Sequence, residues 1–223
     1  ILCLGENSYA EKPGDLNDLT LSSNQLKLAR EISKSGKPVI FVLNEGRPRC
    51  FSEIEPSMAA VVQTYLPGNY GADALAGILF GDVNPSGKLP YTYPSYPNSI
   101  VTYYHEPSEE QKRADGAYVY ESDYNPMYEF GFGLSYTTFE YSQLKVSAKE
   151  FSNGDKIKID VDVKNTGKRA GKEVVLLYTS DLYATITPDV KRLRRFEKIN
   201  LQPGEKKTVS FEITAKDIAF VNQ

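Results

Sequence analysis

This chain of 223 residues predicts an α/β unit built on a parallel sheet, followed by an all-β sandwich. Two observations carry the prediction. Up to about Thr138, short continuous apolar runs alternate with stretches of helical periodicity, the order expected of parallel strands joined by crossover helices. From Phe139 onward the period drops to two, with Ile157, Ile159, Val161 and Val163 alternating with lysine and aspartate. Short strands of that kind between turn residues indicate a sandwich. The boundary falls near Tyr136, dividing the chain into residues 1–136 and 137–223.

The first element is the apolar run Ile1 to Leu4, which ends abruptly in the loop GENSYAEKPGD, Gly5 to Asp15. A short apolar run closed by glycine suits a buried strand, and open α/β sheets bind ligands beyond the carboxyl ends of their strands. The loop carries Glu6, Tyr9, Glu11 and Asp15, so it reads either as a site of acid/base chemistry or as a solvated acidic loop. Ser22 to Ser33 opens on capping residues and places Leu26, Leu28, Ala29 and Ile32 at helical spacing, predicting an amphipathic helix. Gly36 and Pro38 close it. Val39 to Leu43 (VIFVL) is a strand covered on both faces, and Asn44 to Pro48 is the next loop. Ala59 to Tyr65 is a further apolar run, and Pro67-Gly68 turns into a helix over Ala72 to Leu79. Residues 95–126 are rich in Tyr, Pro and acidic residues and lack periodicity, which predicts a long functional or mobile loop. In the second unit the predicted strands are Lys156 to Val163, Glu173 to Tyr178, Lys198 to Leu201 and Lys207 to Ile213. Asn165-Thr166-Gly167 and Gln202-Pro203-Gly204 are turns.

Composition excludes several classes. No apolar stretch approaches the ~20 residues that span a bilayer, so no membrane segment is expected. Residues 1–136 hold 10 basic and 17 acidic side chains and residues 137–223 hold 16 and 12, within a net charge of -3. The basic residues are spread through alternating strands without interleaved aromatics, which argues against nucleic-acid binding. His105 is the single histidine, leaving almost no material for a His-based metal site or a Ser-His-Asp triad. Cys3 and Cys50 adjoin apolar segments and read first as buried free thiols, with a disulfide left open. The chain begins inside a strand-like run and reads as a piece of something longer.

Five segments in order resemble the carboxyl-terminal region of glycoside hydrolase family 3, the β-glucosidase and β-xylosidase family. They are GENSYAEKPGD, KPVIFVLNEGRP, YLPGNYGADALAGILFGDVNPSGKLPYTYP, MYEFGFGLSYTTFEYS, and VKNTGKRAGKEVVLLY with the later FEKINLQPGE. The resemblance implies the second part of an α/β sandwich domain followed by a fibronectin type III-like β-sandwich, truncated at its end. It implies a retaining exo-acting β-glycosidase whose nucleophile, an Asp, lies on a (β/α)8 barrel domain outside this sequence, with a β-linked oligosaccharide or glycoside as substrate. No cofactor or metal is implied. A periplasmic or secreted setting is, and a homodimer is an open possibility.

Glu11 occupies the Glu of the family's Tyr-x-Glu loop and is the expected general acid/base; Glu6 is the alternative. Glu6, directly after the strand, more naturally holds the loop by accepting backbone N–H bonds, and Tyr9 either orients Glu11, borders the sugar or packs. Asp15 and Asp18 are expected to brace the loop, and Arg47 to pair with Glu45 or with an acid of the loop. Tyr103, Tyr104, Tyr118 and Tyr120 are candidates for an aglycone subsite, against a packing role. Phe132, Tyr136, Phe139 and Tyr141 are candidates for packing between the two units. Lys191 to Arg195 reads as a solvated face or a contact with the acidic unit. The competing functional class is a non-catalytic carbohydrate-binding or interaction module, which has no reason to keep the GENSYAEKPGD arrangement. The fragment alone is expected to be inactive.

Overall fold

The computed structural model describes residues 1–99, 101–110, 113–114, 119–120 and 124–219. The chain divides into two compact units. One comprises Ile1–Phe80, Thr92–Val101 and Asn125–Glu129; the other comprises Gly81–Tyr91, Thr102–Tyr124 and Phe130–Gln223.

In the first unit, β1 (Leu2–Gly5), β2 (Ile40–Asn44) and β3 (Ala60–Gln63) form a parallel sheet in the order β1-β2-β3. The central strand is the most apolar, as a strand covered on both faces should be: Phe41, Val42 and Leu43 are all buried. Helix α1 (Ser23–Ser33) joins β1 to β2, begins after Ser22 and buries Leu26 and Ala29. Helix α2 (Gly71–Leu79) follows β3. Phe41, Phe51 and Tyr93 meet edge to face with ring centroids 5.2 and 5.6 Å apart, which ties the segment around Tyr93 to the loop after β2. Cys50 is buried and free as expected, but Cys3 is exposed, because alternate residues of the edge strand β1 face outward.

In the second unit, β4 (Arg113–Ala114) and β5 (Val119–Tyr120) pair antiparallel. Strands β6 (Phe139–Val146), β7 (Lys156–Asn165) and β10 (Lys206–Thr214) form one antiparallel sheet in the order β10-β7-β6. Strands β8 (Gly171–Thr179) and β9 (Arg192–Leu201) form the other. Val163, Val175, Ile199, Leu201, Val209 and Phe211 from both sheets enclose a common core, and the short helix α3 (Ala215–Ile218) follows β10. The period-two pattern therefore reports a sandwich face.

Residues 81–91 and 130–136 pack within this second unit. Backbone bonds join Leu89 N–H to the Phe132 carbonyl (2.9 Å) and Gly131 N–H to the Leu89 carbonyl (2.8 Å). Asn84 donates to the Ala170 carbonyl (2.9 Å) and accepts from the Ser135 hydroxyl. Phe132, Tyr136, Phe139 and Tyr141 all fall in this unit. Phe139 packs on its core, and the Tyr141 hydroxyl donates to Glu173 at 3.0 Å.

Asn165, at the end of β7, turns a predicted turn residue into a buried hub. Its amide donates to the Arg169 (2.7 Å) and Leu201 (3.1 Å) carbonyls and accepts from the Thr137 hydroxyl (2.7 Å) and Gly167 N–H (3.0 Å). With all four bonds made at zero exposure, Asn165→Ala leaves four groups without partners. It is expected to lower stability by about 2–4 kcal/mol in urea unfolding.

Candidate active site

The loops at the carboxyl ends of β1 and β2 meet through one charged cluster. Glu6 follows β1, and its N–H donates to the Asn44 carbonyl at 3.0 Å, continuing the strand pairing by one residue. Its Oε1 accepts from Arg47 Nε at 2.8 Å and from Arg49 Nη1 at 3.0 Å, with the Glu6 side chain only 5% exposed. Burial alone would raise the Glu6 pKa, but the two guanidinium groups outweigh it and hold the carboxyl below the usual range. Glu6 is held by arginine side chains and not by backbone N–H groups. Arg47 pairs with this loop acid and not with Glu45.

Both arginines carry on to the backbone of the loop. Arg47 Nη1 donates to the Gly14 carbonyl (2.5 Å), and its guanidinium lies 3.9 Å from the centre of the Tyr9 ring. Arg49 donates to the Leu19 (3.0 Å) and Thr20 (2.5 Å) carbonyls. Tyr9 fits a slot that only glycine allows: a Cβ at Gly46 would stand 2.4 Å from its hydroxyl, and one at Gly14 would stand 2.9 Å from its ring. On the other side, Gln25 of α1 donates to the Gly5 carbonyl (2.9 Å) and accepts from Gly5 N–H (3.3 Å). Asp18 accepts from Thr20 N–H at 2.7 Å, the bracing role expected of it.

Glu11 stands at the outer end of this loop. It is exposed and has φ 50° and ψ -146°, a backbone conformation that costs a non-glycine residue energy and recurs at functional sites. The loop closes behind it through Gly14 N–H to the Glu11 carbonyl (2.9 Å) and Asp15 N–H to the Lys12 carbonyl (3.0 Å). Among the described residues the Glu11 carboxyl has no hydrogen bond or ion pair, whereas Glu6, Asp18 and Glu45 are all engaged.

Glu45 and Tyr93 are the members that sequence reasoning underrated. Glu45, directly after β2, is completely buried. Its Oε1 lies 2.6 Å from the Tyr93 hydroxyl and 3.3 Å from Arg49 N. Burial pushes its pKa up to about 7, against the bonds from Tyr93 and the Arg49 N–H, and the nearby Glu6 charge adds to the rise. An acid in an apolar frame directly after a strand is a signal the sequence does contain; its partner 48 residues away is not.

The remaining candidates are committed elsewhere. Tyr103 packs on Phe130 (centroids 4.7 Å apart) and Tyr104 (5.1 Å), which favours its packing role. Tyr118 and the side chain of Tyr120 lie outside the described residues. In the basic run, Arg192 pairs with Asp189, Arg195 with Asp217 (2.6 Å), and Arg194 donates to the Thr179 hydroxyl (2.8 Å). Among the described residues no cluster of three or more His, Cys, Asp or Glu could hold a metal ion, and no helix is long and apolar enough to cross a membrane.

Comparison with known proteins agrees with this architecture. The profile of the glycosyl hydrolase family 3 C-terminal domain matches residues 1–136, and that of the fibronectin type III-like domain matches residues 173–223. The lysosomal beta glucosidase of Dictyostelium discoideum is 40% identical over 99% of the chain, which spans 27% of that protein. A beta-xylosidase of Formosa agariphila is 40% identical over 94% of the chain, which spans 29% of it. The crystal structure of a beta-glucosidase from Listeria innocua in complex with isofagomine superposes with a TM-score of 0.89 at 36% identity, covering 99% of this chain and 32% of that one. The chain thus spans about three-tenths of the length of these relatives, and with its parallel sheet, loop cluster and sandwich it belongs to glycosyl hydrolase family 3, of which it carries the C-terminal α/β domain and the fibronectin type III-like domain.

Proposed function

We propose that this chain supplies the general acid/base, Glu11, of a retaining exo-acting β-glycosidase acting on β-glucosides or β-xylosides. The observation that carries this reading is the contrast within one loop. Glu6 is locked between two arginines, while Glu11 is held outward on strained backbone with its carboxyl free. A carboxyl that must first donate and then accept a proton has to be free of permanent partners and reach the sugar oxygen.

In the proposed reaction a carboxylate nucleophile, supplied by a barrel domain outside these residues, attacks the anomeric carbon. Glu11 protonates the departing glycosidic oxygen and then, as a base, takes a proton from the water that hydrolyses the glycosyl-enzyme. Such pairs stand about 5–5.5 Å apart. Binding the substrate beside the nucleophile would raise the Glu11 pKa by desolvation and like charge, as its first role requires. The names of two relatives, the lysosomal beta glucosidase of Dictyostelium discoideum and a periplasmic beta-glucosidase of Salmonella typhimurium, support a periplasmic or secreted setting here.

The 223-residue chain alone is then expected to leave aryl β-glucosides and β-xylosides unhydrolysed, and activity should appear only when the amino-terminal part of the enzyme is present. Assaying the purified chain with and without that part tests this. Turnover by the chain alone that disappears in Glu11→Gln would place both carboxyls within these residues and overturn the reading.

A further inference from the structure

Below the acid/base loop, the Tyr93 hydroxyl faces two acceptors. It lies 2.6 Å from Glu45 Oε1 and 2.9 Å from the Arg49 carbonyl oxygen, while Arg49 N–H donates to it at 3.1 Å. A hydroxyl has one proton and a carbonyl oxygen can only accept. If Glu45 were ionised, Tyr93 could satisfy one acceptor and would leave the other facing a bare oxygen. With a proton on Glu45 the chain closes: Glu45 donates to Tyr93, and Tyr93 donates to the Arg49 carbonyl. The remaining oxygen, Oε2, is buried without a partner, which is tolerable for a neutral acid and costly for a carboxylate.

Arg49 is also the residue whose side chain grips Glu6 and the Leu19 and Thr20 carbonyls, on either side of Glu11 in the chain. We propose that Glu45 is a positioning residue that works as a neutral carboxylic acid, relaying through Tyr93 to fix Arg49 and, through Arg49 and Glu6, the loop that presents Glu11. This rests on Glu11 being the acid/base.

The groups around Glu45 pull both ways: burial and the Glu6 charge favour the neutral acid, while the bonds from Tyr93, the Arg49 N–H and Gln63 favour the carboxylate. Glu6 comes from the end of β1 and its charge opposes a second carboxylate nearby. Arg47 is turned away onto Glu6, the Tyr9 ring and the Gly14 carbonyl. Arg49 offers Glu45 its backbone N–H and spends its guanidinium on Glu6 and two carbonyls. From β3 the uncharged Gln63 donates to the Glu45 carbonyl oxygen at 3.5 Å. Cys50 is buried, and burial, with the Asp18 charge adding to it, pushes its thiol pKa up to about 11. Burial dominates, and Glu45 titrates at about 7 in place of 4.5. Because the folded value is the higher one, its stabilising contribution is complete below about 4.5 and is lost as the pH rises through about 7. Above that range Glu45 ionises, the relay loses its proton and the grip of Arg49 on the loop weakens.

The test uses the full-length enzyme carrying this chain and a glycoside with a poor leaving group, which needs the acid. Glu45→Gln mimics the protonated acid and does not ionise. Its rate relative to wild type is expected to rise about tenfold or more between about pH 6 and pH 8.5, whereas Glu45→Ala is impaired throughout. A Glu45→Gln to wild-type ratio that stays flat across pH, or a Glu45→Gln enzyme as impaired at about pH 6 as Glu45→Ala, would overturn the proposal. If neither variant folds, carboxyl carbon NMR of protein labelled at glutamate, in the Glu11→Gln background, decides. A carboxyl that is still protonated at about pH 6 supports the proposal, and the absence of one overturns it. Glu11→Gln also separates the two readings. If it lacks the leaving-group dependence of an acid/base, the functional reading falls, while the NMR titration still reports whether Glu45 is neutral.

Discussion

Glu11→Gln in the full-length enzyme is expected to slow hydrolysis of glycosides with poor leaving groups by roughly 10²–10⁴-fold, the usual contribution of a general acid/base. Activated aryl glycosides, whose leaving groups depart with little protonation, should lose far less in kcat/KM. Their turnover should instead stall at the glycosyl-enzyme, because the same residue must activate water. Azide, which needs no base, should restore turnover of Glu11→Ala and yield a glycosyl azide with retained configuration. The stability of these variants should match wild type, since Glu11 is exposed and its carboxyl engages no other described residue. Glu6→Gln is the informative contrast. It disrupts the charged partner of Arg47 and Arg49, so it should lower stability and impair every substrate, with no leaving-group dependence and no azide rescue. If Glu6→Gln shows the leaving-group pattern and Glu11→Gln does not, the assignment is reversed.

Arg49→Ala is expected to have the largest effect on stability, on the order of 3–5 kcal/mol, as when one partner of a buried ion pair is removed. The side chain is 14% exposed and ends on Glu6, itself 5% exposed, and on the Leu19 and Thr20 carbonyls. Truncation leaves the Thr20 carbonyl without that donor, the Leu19 carbonyl with the Cys50 N–H alone (2.8 Å), and Glu6 held by Arg47 alone. Arg49→Lys should recover only part of the loss, because one ammonium cannot span three acceptors set for a guanidinium fork. Arg47→Ala should cost less, since that side chain is 27% exposed and more open to water. The measurement is the denaturant midpoint with its slope checked for constancy. An Arg49→Ala midpoint within experimental error of wild type would mean that the cluster does not hold the loop. Because the Glu6 pKa is lowered on folding, its contribution is present above about 4.5 and lost as the pH falls, opposite in sign to Glu45.

The sequence by itself determined the elements whose pattern is set by local burial. VIFVL reads as a central parallel strand because both faces must be apolar, and it became β2 with Phe41, Val42 and Leu43 buried. Ile157, Ile159, Val161 and Val163 read as one face of a sandwich strand, and β7 follows that alternation. The loop carrying Glu11 was legible because its residue types and order are themselves the signal. The extent of β9 was less so: Arg192, Arg194 and Arg195 hide a strand within a basic run because Arg192 and Arg195 pair with Asp189 and Asp217 and Arg194 donates to the Thr179 hydroxyl, partners that the local pattern does not show. Nor does periodicity report that residues 81–91 join the sandwich unit, since backbone bonds to Phe132 and Gly131 place them there. The inner part of the site was decided by tertiary structure alone. Glu6 meets Arg47 and Arg49 across more than forty residues, and Glu45 meets Tyr93 across forty-eight. Which acid is gripped, which is buried and which is left free depends on the parallel pairing of β1 with β2, which brings both loops to one edge of the sheet. Residue type names the candidates, and only that pairing assigns their environments.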